Sequence, residues 1–153
     1  MAVVTVPDWV TRSAGDVAEQ FDAIGLARSA GCERHEAMLA AMSWALNGGG
    51  GPISGTTWSS SDTSARVEAD AALFVAHCGY APRAEHWTAL GHPNPPRRSA
   101  GDAPEWAYGV WRVLSWLLGD TPAVPPTEDT SRWARLPKAQ RLEISSAVAA
   151  RWS

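Results

Sequence analysis

Residues 102–119 read DAPEWAYGVWRVLSWLLG, and their reading decides the fold. Asp102 and Glu105 stand three apart around Pro104, the arrangement of a helix start, since proline fits the first turn where its missing N–H costs nothing. Trp106, Val110, Trp111, Val113, Leu114, Leu117 and Leu118 then cover nearly every side of a helix, and Gly119 ends it. A helix apolar almost all round belongs in the middle of a bundle. Gly109 would let a neighbouring backbone approach closely. Arg112 is the only charged side chain between Trp106 and Gly119. A guanidinium in such a helix must be paired or must reach solvent along its stem. It is thus either a candidate holder of an anionic ligand or one half of an internal ion pair.

Working outward, residues 119–130 form a Pro-rich loop, and a last helix runs from about Pro137 to Trp152 with Ile144, Val148 and Trp152 at four-residue spacing. Upstream, residues 92–101 are a second Pro-rich loop, preceded by a short helix from Pro82 to Leu90. A helix from Asp62 to Cys78 is predicted with Val67, Ala71, Phe74 and Cys78 as its buried stripe. Residues 47–61 hold Gly48 to Gly51, Pro52, Gly55 and a Ser/Thr cluster, which predicts a flexible, exposed loop. Before it, Glu33 to Leu46 carries Met38, Met42 and Ala45 on one stripe, and Asn47-Gly48 is a stop signal. The first helix opens on Ser13 and Asp16, continues through Val17, Phe21, Ile24 and Arg28, and closes at Gly31, after an extended start at Val3 to Val6. The expectation is an all-α, compact bundle of five or six helices in one domain spanning 1–153. Met38 to Leu46 also aligns with Val110 to Leu118, Ser43-Trp44 falling on Ser115-Trp116. Either a duplicated helix-plus-loop unit or convergence of two apolar helices gives this pattern.

A chain of 153 residues with 45% apolar content is long enough to bury a core without staples. No apolar run approaches the roughly 18 to 20 residues of a membrane-spanning helix. The start has no basic n-region and carries Asp8, so no secretion signal is read and a cytoplasmic location is expected. A formal charge of -3 argues against general nucleic-acid binding. Twelve Arg against the single Lys138, with 27 Ala, suggest a high-GC bacterium or its phage.

Chemistry-bearing motifs are sparse. The glycine run at 48–51 lacks the Lys-Ser/Thr of a phosphate loop, and no G-x-S-x-G elbow occurs. Cys32, His35, His77 and Cys78 are the one set with the donors of a tetrahedral zinc site, although adjacent residues such as His77 and Cys78 diverge on a helix. His77, His86 and His92 are the candidate acids or bases, with no nucleophile beside them. No cofactor is implied.

The partner signals lie elsewhere. From Arg132 to Ser153, five cations (Arg132, Arg135, Lys138, Arg141, Arg151) face Glu143 alone, so the remainder of the chain carries -7. Nine Trp accompany only two Phe and two Tyr. Trp44, Trp106, Trp111 and Trp116 fall on apolar helices and are assigned to the core. Trp9, Trp58, Trp87, Trp133 and Trp152 fall in loops or peripheral elements, where large aromatics often form contact surfaces. The expected function is therefore non-catalytic binding of another protein, or of a second copy, by an adaptor, regulator or assembly component. Trp58, Arg132, Trp133, Arg135, Lys138, Arg141 and Trp152 are the partner-binding candidates. The alternatives are an enzyme or ligand-binding protein with an interhelical pocket using Arg112 and a His, and a zinc-stabilised helical module.

Overall fold

A computed structural model describes residues 5–27, 32–96, 98–127 and 136–152. They form six helices: α1 (Ala14–Ala27), α2 (Glu33–Asn47), α3 (Asp62–Cys78), α4 (Ala84–Leu90), α5 (Pro104–Leu118) and α6 (Lys138–Trp152). The chain is all-helical, and among the described residues the only β-type pairing is an isolated bridge between Gly50 and Thr57. The predicted extended start falls largely outside the described residues, as do Arg28 and Gly31.

The helix starts follow from local chemistry. Ser13 Oγ accepts the Asp16 N–H at 3.1 Å. Ser61 and Ser64 cap α3 reciprocally, each hydroxyl accepting the other's backbone N–H at 3.0 and 2.8 Å. Pro104 stands in the first turn of α5, as its position in the sequence predicts.

The fold is organised around α5, which packs against α2 on one side and α3 on the other. Every residue from Ala107 to Leu118 is buried. Gly109 is what lets α2 come so close. A Cβ there would lie 2.5 Å from the Arg34 carbonyl oxygen and 3.0 Å from the Ala37 Cβ. α1 lies on α2, α4 on α3, and α6 on α3.

Three expectations need correction. On α3, the buried face is Ala65, Glu68, Ala72 and Val75 together with Val67 and Ala71, whereas Phe74 is half-buried and Cys78 exposed. The helix is turned so that Leu73 and Val75 are buried on either side of Phe74, which packs sideways on Tyr80 and His86. Next, Trp87 is not peripheral but completely buried, its indole N–H donating to Ser99 Oγ at 3.0 Å. Finally, residues 47–61 do not form an exposed loop throughout, because Gly51, Pro52, Ile53 and Ser54 are buried. The Gly51 N–H bonds the Thr56 carbonyl and the Gly55 N–H bonds the Gly51 carbonyl, both at 2.8 Å. The Ile53 carbonyl accepts from Ala100 and Gly101, which ties this loop to the Pro-rich loop before α5.

Candidate functional site

α6 has two chemically different sides. At 100° per residue, Gln140, Ile144, Ala147 and Arg151 fall on one side, and Lys138, Arg141, Leu142, Ser145, Ala149 and Trp152 on the other. The inner side is held mainly by polar contacts. Arg34 donates to Gln140 Oε1 at 2.5 Å, Arg112 pairs with Glu143 Oε1 at 2.7 Å, and the Tyr108 hydroxyl donates to Glu143 Oε2 at 3.1 Å. Arg151 grips Asp70 through two bonds of 3.1 and 2.8 Å. That contact pushes the Arg151 guanidinium above its usual range, chiefly through the hydrogen bond and charge of Asp70.

All six outer side chains are exposed. Leu142 keeps 58% and Trp152 44% of its surface in contact with solvent. Among the described residues, neither Lys138 nor Arg141 takes part in an ion pair. The face therefore presents two unneutralised cations beside two large apolar groups. Of the predicted partner-binding residues, Lys138, Arg141 and Trp152 come together here, and Leu142 joins them. Arg132, Trp133 and Arg135 lie outside the described residues.

Trp58 leaves this set, because it faces inward. Its indole N–H donates to Glu68 at 3.1 Å, its ring stacks on His92 with centroids 4.3 Å apart, and its carbonyl accepts the Trp44 indole N–H. Glu68 is the centre of this arrangement and is fully buried. One oxygen accepts the N–H groups of Ile53 and Ser54 at 2.8 and 3.0 Å, and the other accepts the Ser54 hydroxyl at 2.5 Å and the Trp58 indole. Burial raises the carboxyl above the ordinary 4.5 against the downward pull of these donors. A seryl oxygen so close to a carboxylate resembles an activated nucleophile, but Ser54 is itself buried. The sequence reading missed Glu68, whose signal was its place in line with Ala65, Ala72 and Val75.

Arg112 is the internal ion pair rather than an open anion holder. Besides Glu143 it donates to the carbonyls of Val124 at 2.9 Å and Ala123 at 3.4 Å. Beside it, a cleft of about 540 Å³ opens between α3, α5 and α6, floored by Leu73, Trp111 and Ala147 and rimmed by the Arg66–Asp120 pair. No histidine lines it. His92 is buried against Trp58 and Trp87, accepts the Asn94 N–H at Nδ1, and is held below the usual 6.5 by that burial. His86 Nδ1 accepts the Arg83 N–H at the start of α4, and His77 is exposed.

The zinc candidates do not converge. Cys32 and His35 are buried whereas His77 and Cys78 are exposed, and among the described residues no three of His, Cys, Asp and Glu group as metal ligands. The cause is the rotation of α3 already noted, which turns its C-terminal end outward. No described helix is long and apolar enough to cross a membrane. Compared with known proteins, the chain matches no family, no curated protein and no solved structure.

Proposed function

We propose that this protein works by binding another protein through the outer face of α6. The observation that carries the reading is the exposure of Leu142 and Trp152 on one helical face with the unpaired cations Lys138 and Arg141. Aromatic and aliphatic anchors surrounded by charge are the composition of an interface, the apolar groups supplying affinity and the charges steering encounter. A partner with acidic groups around an apolar patch fits it. The rest of the molecule supports a scaffold role, since Glu68 is sealed and Arg112 is neutralised.

The test places a photo-crosslinking amino acid at Ser145, in the middle of the face, in extract of the source cells. A discrete crosslinked protein is expected, lost when Leu142→Ala and Trp152→Ala are combined. No crosslink, or one indifferent to that double substitution, overturns the reading. A second reading, a small-molecule site, is favoured only by the cleft beside Trp111, whose volume of about 540 Å³ suits such a ligand. It would operate without Arg112 as anion holder and without a histidine.

A further inference from the structure

α6 packs on α3, and its bonds to α5 run through long side chains, Arg112 and Tyr108 both reaching Glu143. Further along α6 the side chains that line the cleft are short. They are Ser146, Ala147 and Ala150, and the space between the helices stays open down to Trp111 and Leu73. An apolar floor and a volume of about 540 Å³ are the dimensions of a small-molecule site.

The charges around the cleft bear on what it can hold. Arg66, Asp120, Glu143 and Arg151 line it, and each is held in an ion pair. Arg66 pairs with Asp120 at 2.9 Å, Glu143 with Arg112 at 2.7 Å, and Arg151 with Asp70 at 2.8 Å. The three pairs cancel. A ligand of either sign would find, beside each opposite charge it sought, a like charge no more than 2.9 Å away. It would also have to give up its own water for groups already satisfied by each other. The hydroxyls are committed as well, Thr121 donating to Ser115 Oγ at 3.0 Å and Ser115 to the Trp111 carbonyl at 2.5 Å. The exposed Ser146 is left to offer a hydrogen bond.

We infer that the cleft between α3, α5 and α6 takes an uncharged, mainly apolar small molecule that lies against Trp111 and Leu73. This rests on the small-molecule reading of the cleft given above and names its ligand class. It is independent of the outer face of α6. Affinity comes from apolar surface taken out of water at the floor, and discrimination against ions comes from the neutralised rim.

The test compares two fluorescent probes on the full chain that differ by one sulfonate. N-phenyl-1-naphthylamine is uncharged, 8-anilinonaphthalene-1-sulfonate is an anion, and both brighten on leaving water. The uncharged probe is expected to bind saturably, roughly tenfold or more tightly than the anion. Ser146→Phe and Ala150→Phe fill the cleft from exposed positions and are first checked for a cooperative thermal melt. Each should weaken the uncharged probe roughly tenfold or more, whereas Leu142→Ala combined with Trp152→Ala on the outer face should leave its binding unchanged. Should both phenylalanine variants fail to fold, wild type supplies a second readout: the uncharged probe should raise its melting temperature and the anion should not. An anion bound as tightly as the uncharged probe, and displaced by the same two substitutions, overturns the ligand class and leaves the small-molecule reading standing. No saturable binding, or binding indifferent to Ser146→Phe and Ala150→Phe, overturns both.

Discussion

Two long loops follow the two central helices, and opposite charges hold them. The loop after α2 offers N–H groups and an indole to the buried carboxylate of Glu68. The loop after α5 offers the carbonyls of Ala123 and Val124 to the buried guanidinium of Arg112. The symmetry stops at the counter-charge. Arg112 has Glu143 beside it, partly exposed, while Glu68 is compensated by hydrogen-bond dipoles and has no cation among its bonded partners. A buried charge without a counter-ion makes its donors indispensable, because each of them loses its only acceptor when the charge goes. A buried pair with a wet partner can be dismantled more cheaply, since water replaces what is lost.

The comparison can be broken most strongly at Glu68. Glu68→Ala strands at least two backbone N–H groups and the Trp58 indole, and a loss of about 3 kcal/mol or more is expected in urea unfolding. A loss under about 1 kcal/mol would mean that the loop needs no carboxylate. Arg112→Met is the matching change in the other loop and should cost less, about 1 to 2 kcal/mol. Ala123, Val124 and the Glu143 carboxylate all retain access to solvent and can rehydrate. Part of that cost should vanish at high salt, whereas the Glu68→Ala loss should hardly change.

Acid titration sharpens the contrast by its sign. Glu68 is raised above 4.5 by burial, so the folded state binds its proton more readily than the unfolded chain. Its contribution is therefore fully present below 4.5 and is lost as pH rises through the folded value. The stability of wild type relative to Glu68→Gln should accordingly fall as pH rises from 4.5. His92 is lowered from 6.5, so its contribution is present above 6.5 and is lost as pH falls through the folded value. Wild type relative to His92→Asn should weaken in that direction. Two groups touching the same Trp58 ring thus give pH slopes of opposite sign, measurable from urea midpoints at a series of pH values. Parallel slopes would show that burial does not govern both.

How much of this was legible depended on where the information lay. α5 was readable because its first-turn proline, its all-round apolar surface and its terminating glycine are adjacent in the chain, and Arg112 stood out as the one charge inside it. The Gly109 contact was readable for the same reason. α3 was misread because five of its residues between Asp62 and Cys78 are alanine, and small side chains on several sides leave the phase of the buried stripe undetermined. With the phase wrong, Glu68 went unremarked and Cys78 was placed in the buried stripe. Residues 47–61 were misjudged because what packs them comes from elsewhere: the Glu68 carboxylate, the Trp106 indole on the Pro52 carbonyl at 3.0 Å, and Trp9 on Ser60. Composition carries no trace of such partners. The α6 face was half legible, its cations and Trp152 visible in the charge count, Leu142 only once the inner side was known.

The end of α5 carries a consequence for the order in which the molecule can be finished. Its last carbonyls have no partner within the helix, and the chain's own beginning supplies one: Arg12 donates to the Trp116 carbonyl, and Thr11 donates to the Leu117 carbonyl through both its N–H and its hydroxyl. Arg12 also lies over the Trp116 ring at 5.2 Å. These bonds span 104 and 106 positions of sequence. On a ribosome, the segment that seals the central helix is made first and has nothing to seal until α5 has emerged. The nascent chain must keep that segment undocked until α5 has been made, and the core stays open at one end until the two meet.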